Sequence, residues 1–152
     1  MTQPITVHFF AEGVPVAQPR HSNAQGGRTY YRDKSGKYGA WRDRVTLEAR
    51  HHAARHGLIQ SPPACPVRLY VKFLMPYAQR WFRKDGSLKD AAPTKHLAKP
   101  DADNMLKLVK DVLESEHLVH NDSMIYDVRS TKLYSQGRTG AIITLHYEHG
   151  SR

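Results

Sequence analysis

A chain of 152 residues with one cysteine, Cys65, is long enough to bury a core without cross-links, and it can form neither an internal disulfide nor a cysteine-based zinc site. Lys and Arg number 23 against 14 Asp and Glu, a formal net charge of +9, which favours polyanionic partners because neutralising phosphates releases condensed counterions. No stretch approaches a membrane span, and the Met1-Thr2-Gln3-Pro4 start lacks the basic and apolar regions of a signal peptide. The expectation is one soluble, cytoplasmic domain over 1–152 with no membrane partner.

From Ile5 to Ala11, the alternation of Ile5, Val7 and Phe9 predicts a first strand with one buried face. Glu12 to Arg32 holds three glycines, two prolines and no clear period, so it reads as a long loop; loops of that length are uncommon unless functional or disordered. Its Arg20, Arg28 and Arg32, interleaved with Tyr30 and Tyr31, suit phosphate contacts and stacking on unpaired bases. A solvated loop whose tyrosines pack on the core fits these residues about equally well.

Lys37 to His56 is rich in helix formers, with Trp41, Val45, Ala49 and His52 at helical spacing and Gly57 as its stop. His51, His52 and His56 read as a basic helix end, since no acid shares their side in the pattern of a zinc protease. The run 61–66 (SPPACP) breaks the chain. Val67 to Met75 then alternates Val67, Leu69, Val71 and Phe73, the clearest strand in the sequence, and Pro76 ends it. Tyr77 to Lys99 is a second irregular and basic segment, carrying Arg80, Arg83, Lys84, Lys95 and Lys99 beside Trp81 and Phe82. It is placed either to hold a DNA strand next to the acids that follow or to serve as a linker anchored by its aromatics.

Those acids form the densest motif in the chain, Lys99-Pro100-Asp101-Ala102-Asp103-Asn104-Met105-Leu106-Lys107. Pro100 disfavours helical geometry at Lys99, so the chain arrives extended and turns into a second helix near Asp101 to Asp103. At about 100° per residue, Met105, Leu106, Val109, Val112 and Leu113 share an apolar arc, with Asp103, Lys107, Lys110, Asp111 and Glu114 opposite. Helix capping accounts for one aspartate, and an Asp103–Lys107 surface pair for another. It does not account for a third, Asp122, in the turn His120-Asn121-Asp122. Ser123 to Tyr134 and Ala141 to Tyr147 read as two strands of a hairpin, closed through Gln136-Gly137-Arg138-Thr139-Gly140. The order β-α-β-α-β-β implies a single α+β domain with a mixed β-sheet and two main helices.

The motif at 99–107, Asp111 in the same helix and the 120–122 turn together resemble the RusA family of Holliday-junction resolvases; Gly13-Val14-Pro15 and Pro19-Arg20 add a weaker likeness. The resemblance implies an Mg²⁺-dependent crossover junction endodeoxyribonuclease, with Mn²⁺ as a substitute ion. It would resolve four-way junction DNA by paired symmetric nicks in recombination and repair, as a homodimer and with prophage relatives. Matched by residue, it implies metal ligation by Asp101, Asp103 and Asp122 and a catalytic role for these three and Lys107. Family members often carry two adjacent acids where this chain has Asn121 and Asp122. The basic segments would supply the DNA contacts, through Arg20, Arg28, Arg32, Arg80, Arg83, Lys84, Lys95 and Lys99. The alternative is a non-catalytic basic DNA- or RNA-binding protein, which would explain the charge and leave the acids idle.

Overall fold

In the computed structural model of the chain, residues 5–19, 22–23, 29–30, 35–59 and 63–148 are described. The strand with the strictest alternation lies inside the sheet. Here β1 spans Ile5–Glu12, β4 Val67–Pro76, β5 Ile125–Ser135 and β6 Gly140–Tyr147, in the order β1-β6-β4-β5. Two short strands, β2 (Ser22–Asn23) and β3 (Thr29–Tyr30), pair as a small ribbon within the segment read as irregular. Helix α1 covers Lys37–Arg55 and α2 covers Ala102–Ser115.

Alternation decides which face of the sheet is covered. Val7, Phe9 and Ala11 of β1, Val67 through Met75 at every second position of β4, and Ala141, Ile143, Leu145 and Tyr147 of β6 are all buried. They form one cluster with Trp41, Val45, Ala49 and Ala53 of α1 and with Met105, Leu108, Val109, Val112 and Leu113 of α2. The alternate residues are exposed, as are Thr6, His8, Arg68 and Lys72, or half-buried, as are Tyr70, Ile142 and Thr144. Two helix faces are rotated slightly from expectation. Ala53 takes the buried place expected for His52, whose ring instead stacks on Phe9 at 5.0 Å. Leu108 is fully buried, while Leu106 is only partly so, because Leu108 lies about 40° from Val112 on the helix circumference and Leu106 falls at the edge of the arc.

The expected hairpin is not made. β5 runs parallel to β4, the crossover passing through α2, and β6 returns antiparallel between β4 and β1. Residues 136–139 therefore step over the end of β4, a span of two strand spacings, or about 10 Å. Glycine is needed where that step lands. Gly140 has φ +151°, and a Cβ there would stand 2.1 Å from the Ala11 carbonyl oxygen. Gly57 meets another backbone demand, ending α1 at φ +69°.

Candidate active site

The acidic motif is built at the mouth of α2. Asp101 is the N-cap residue with extended backbone (φ −71°, ψ 143°), and its carbonyl accepts the first helical bond from the Met105 amide at 3.1 Å. Its carboxylate makes no capping bond. The ordinary structural use of an aspartate at this position is thus not made, and the exposed side chain remains available. Asp103 lies in the first turn, where the helix dipole favours negative charge.

Along the outward side of α2, Asp103, Lys107 and Lys110 form a row. The surface pair that i,i+4 spacing offers is not formed between Asp103 and Lys107. Lys110 instead pairs with Asp122, Nζ to Oδ2 at 3.4 Å. Asp122 opens a short 3-10 turn, Asp122–Met124, fixed by the Asn121 side chain, whose Oδ1 accepts from the Ser123 amide at 2.8 Å. Asn121 thus has a local structural task. Seven residues of helix separate Lys110 from Asp103, about 10 Å along the axis. Asp101 and Asp103 thus stand at the helix mouth, and Asp122 is held by the ammonium of Lys110. Among the described residues no three His, Cys, Asp or Glu side chains stand close enough to hold a metal ion together. Two exposed, oxygen-only carboxylates at one helix turn remain a donor set suited to a hard cation such as Mg²⁺, which keeps several waters and commonly takes one or two carboxylates plus substrate phosphate.

Next to Asp101 is a hollow of about 440 Å³, lined by Val16, Ala17, Gln18, Lys99, Pro100, Asp101 and Asn104. The basic segment that leads to it is ordered by specific contacts. Tyr77 stacks on Tyr134 at 4.6 Å and donates its hydroxyl to the Pro93 carbonyl at 2.7 Å. The Tyr134 amide bonds Thr94 and the His96 amide bonds Lys132, so residues 94–96 run along the free edge of β5. His96 is buried against Tyr134, and burial, with the Lys132 charge second, lowers its pKa.

The cations divide into two groups. Arg83 is taken up by its own loop, donating to Leu88 O at 2.6 Å, Ser87 Oγ at 3.3 Å and Asp90 at 3.0 Å. Arg80 lies over the Trp81 ring at 5.5 Å. Lys84, Lys95, Lys99 and Lys107 are exposed, the last three close in sequence to the acids. Arg20, Arg28 and Arg32 lie outside the described residues. One participant escaped the sequence reading. Lys132 of β5 donates to the carbonyls of Ala98 and Pro100, each at 2.7 Å. Only the register of β5 against β4 reveals it, because that register turns Lys132 to the helix side, level with Phe73.

The site is thus a pair of exposed carboxylates, with Asp101 not used for capping, that opens a helix in a basic α+β domain. The model of the family described as Endodeoxyribonuclease RusA matches residues 12–146. The chain belongs to this RusA endodeoxyribonuclease family, whose members resolve junction DNA. It is similar to a protein of Bacillus subtilis (strain 168) described as "Uncharacterized protein YqaN", 31% identical over 133 residues, covering 86% of this chain and 89% of the relative. It is also similar to the "Crossover junction endodeoxyribonuclease RusA" of Aquifex aeolicus (strain VF5), 40% identical over 47 residues, which is 31% of this chain and 37% of that relative. Among the described residues no helix is long and apolar enough to cross a membrane.

Proposed function

We propose that the chain is an Mg²⁺-dependent endonuclease that resolves four-way DNA junctions by paired symmetric nicks, serving recombination and repair in the cytoplasm. The observation that carries this reading is Asp101, an aspartate placed at an N-cap whose carboxylate is not used to cap. Asp101 and Asp103 would hold the ion, Mg²⁺ or Mn²⁺ in its place, and Asp122 would join them once its pairing with Lys110 is exchanged. When bound, such an ion acts as a Lewis acid toward the phosphate and lowers the pKa of a water.

The chain's own groups supply the rest. Lys107 stands one turn beyond Asp103, exposed, and offers a fixed positive charge to orient the scissile phosphate and offset charge that develops on it. Lys99 lines the hollow beside Asp101 and would bind a neighbouring phosphate; Lys95, Lys84 and Arg80, exposed on the same basic segment, would add further phosphate contacts. A homodimer would present two equivalent sites to a nearly two-fold substrate, as paired nicks require.

The test is incubation of a four-way junction with and without Mg²⁺. Nicks confined to the Mg²⁺ lanes, and absent with Asp101→Asn, are expected. A second reading, a non-catalytic basic DNA- or RNA-binding protein, draws on the absence of a three-acid group among the described residues. Tight junction binding with no cleavage under any divalent ion would favour it.

A further inference from the structure

We propose that Lys132 is a positioning residue for the acid-bearing turn, a tie from the edge strand of the sheet to the backbone that delivers Asp101 to the helix. This rests on the nuclease reading for its functional consequence, but not for the tie itself.

The path of the chain explains why a tie is needed there. Residues 94–96 are fixed to β5 by the Tyr134 amide to Thr94 O at 2.8 Å and the His96 amide to Lys132 O at 3.2 Å. From Asp101 onward the backbone is fixed by α2, beginning with the bond from the Met105 amide. Residues 97–100 bridge the two, and the side chains of the first three do little to hold them: Leu97 is 89% exposed, and Ala98 and Lys99 are exposed as well. The Lys132 ammonium spans this gap. Two of its three protons go to Ala98 O and Pro100 O, each at 2.7 Å, and the second acceptor belongs to the residue directly before Asp101.

The residue type matters. An ammonium is a point donor that can serve two carbonyls at once, and a bond with a charged partner is roughly twice as strong as a neutral one. A carboxylate that would hold an ion against the scissile phosphate gains from backbone that cannot drift, since a displacement of about 1 Å costs about a hundredfold in rate. Loss of Lys132 would leave two carbonyls without their donor and residues 97–100 free to move Asp101 relative to Asp103. Binding of the junction, which depends on the surface cations, would be little changed.

The experiment compares the wild-type chain with Lys132→Met, which keeps the aliphatic stem, and Lys132→Arg, which keeps charge and donors. Three quantities are read: junction affinity in EDTA, single-turnover nicking in Mg²⁺, and amide hydrogen exchange of the peptide covering 97–103. Expected for Lys132→Met are affinity within about twofold, nicking slower by roughly ten- to hundredfold, and faster exchange in that peptide, with Lys132→Arg recovering most of both. Wild-type nicking by Lys132→Met, or unchanged exchange at 97–103, would overturn the proposal. So would a loss of affinity and thermal stability in both variants together with the rate, since that describes a general structural lysine. If the wild-type chain cuts nothing, the nuclease reading fails while the exchange comparison still decides whether Lys132 holds the turn.

Discussion

Lys110, on the outward row of α2, reaches the Asp122 carboxylate at 3.4 Å across to the turn that follows the helix. The ammonium occupies the acid that the family likeness assigns to the metal. Both side chains are partly exposed, so the pair is screened and readily exchanged. Lys110→Met should therefore strengthen divalent-ion binding, because a competing positive charge is removed from the carboxylate. The check is a Mg²⁺ titration of nicking rate together with direct Mn²⁺ binding: half-saturation several-fold lower is expected, and an unchanged midpoint in both would show that Asp122 takes no part.

Asp101→Asn and Asp103→Asn should bind junctions as well as the wild type, or better without metal, and cut at least a hundredfold more slowly. Asp101 adds a stability signature. A working N-cap contributes about 1 kcal/mol, and since the Asp101 carboxylate caps nothing, Asp101→Ala should cost well below that in urea denaturation. A full cap-sized loss would return Asp101 to a structural role.

The turn of α2 toward the core is open to a direct comparison. Leu108→Ala should cost about 2–5 kcal/mol, as a fully buried leucine does, and Leu106→Ala clearly less. Equal losses would place the apolar arc where periodicity alone first drew it.

That shift from Leu106 to Leu108 shows how far the chain can be read before it is seen folded. The mouth of α2 was legible because Pro100, the two aspartates and the 3.6-residue period are local signals, and the alternation of Val67, Leu69, Val71 and Phe73 marked the central strand for the same reason. What was hidden depended on contacts between distant segments. A glycine-bearing link between two strands looks alike whether it closes a hairpin or steps over β4, and only the pairing of β6 with both β1 and β4 decides it. Lys132 is invisible for the same cause: its partners, Ala98 and Pro100, are more than thirty positions away. The pairing of Asp122 with Lys110 is likewise set by how the 121–124 turn meets the helix.

Two imidazoles, His96 buried and His52 half-buried, set a pH dependence for stability. His52, stacked on Phe9 and near His51, Glu48, His56 and Arg55, and His96, packed on Tyr134 beside Lys132, both have pKa values lowered from 6.5, chiefly by burial. Protons therefore go first to the unfolded chain as pH falls, so the stabilisation is full above about pH 6.5 and is lost as pH drops through that value toward the folded pKa values. The denaturation midpoint should fall on going from about pH 7.5 to about pH 5.5, and His52→Gln with His96→Gln should flatten that slope. A slope untouched by the double substitution would assign it elsewhere.

The nuclease account is tested most directly by the fate of a labelled four-way junction beside matched duplex and single strands. In Mg²⁺ the wild-type chain is predicted to nick the junction at paired, symmetry-related positions, to spare the other two, and to lose this activity in EDTA or with Asp101→Asn. Junction left intact in Mg²⁺ and Mn²⁺, or cut equally well by Asp101→Asn, would contradict it.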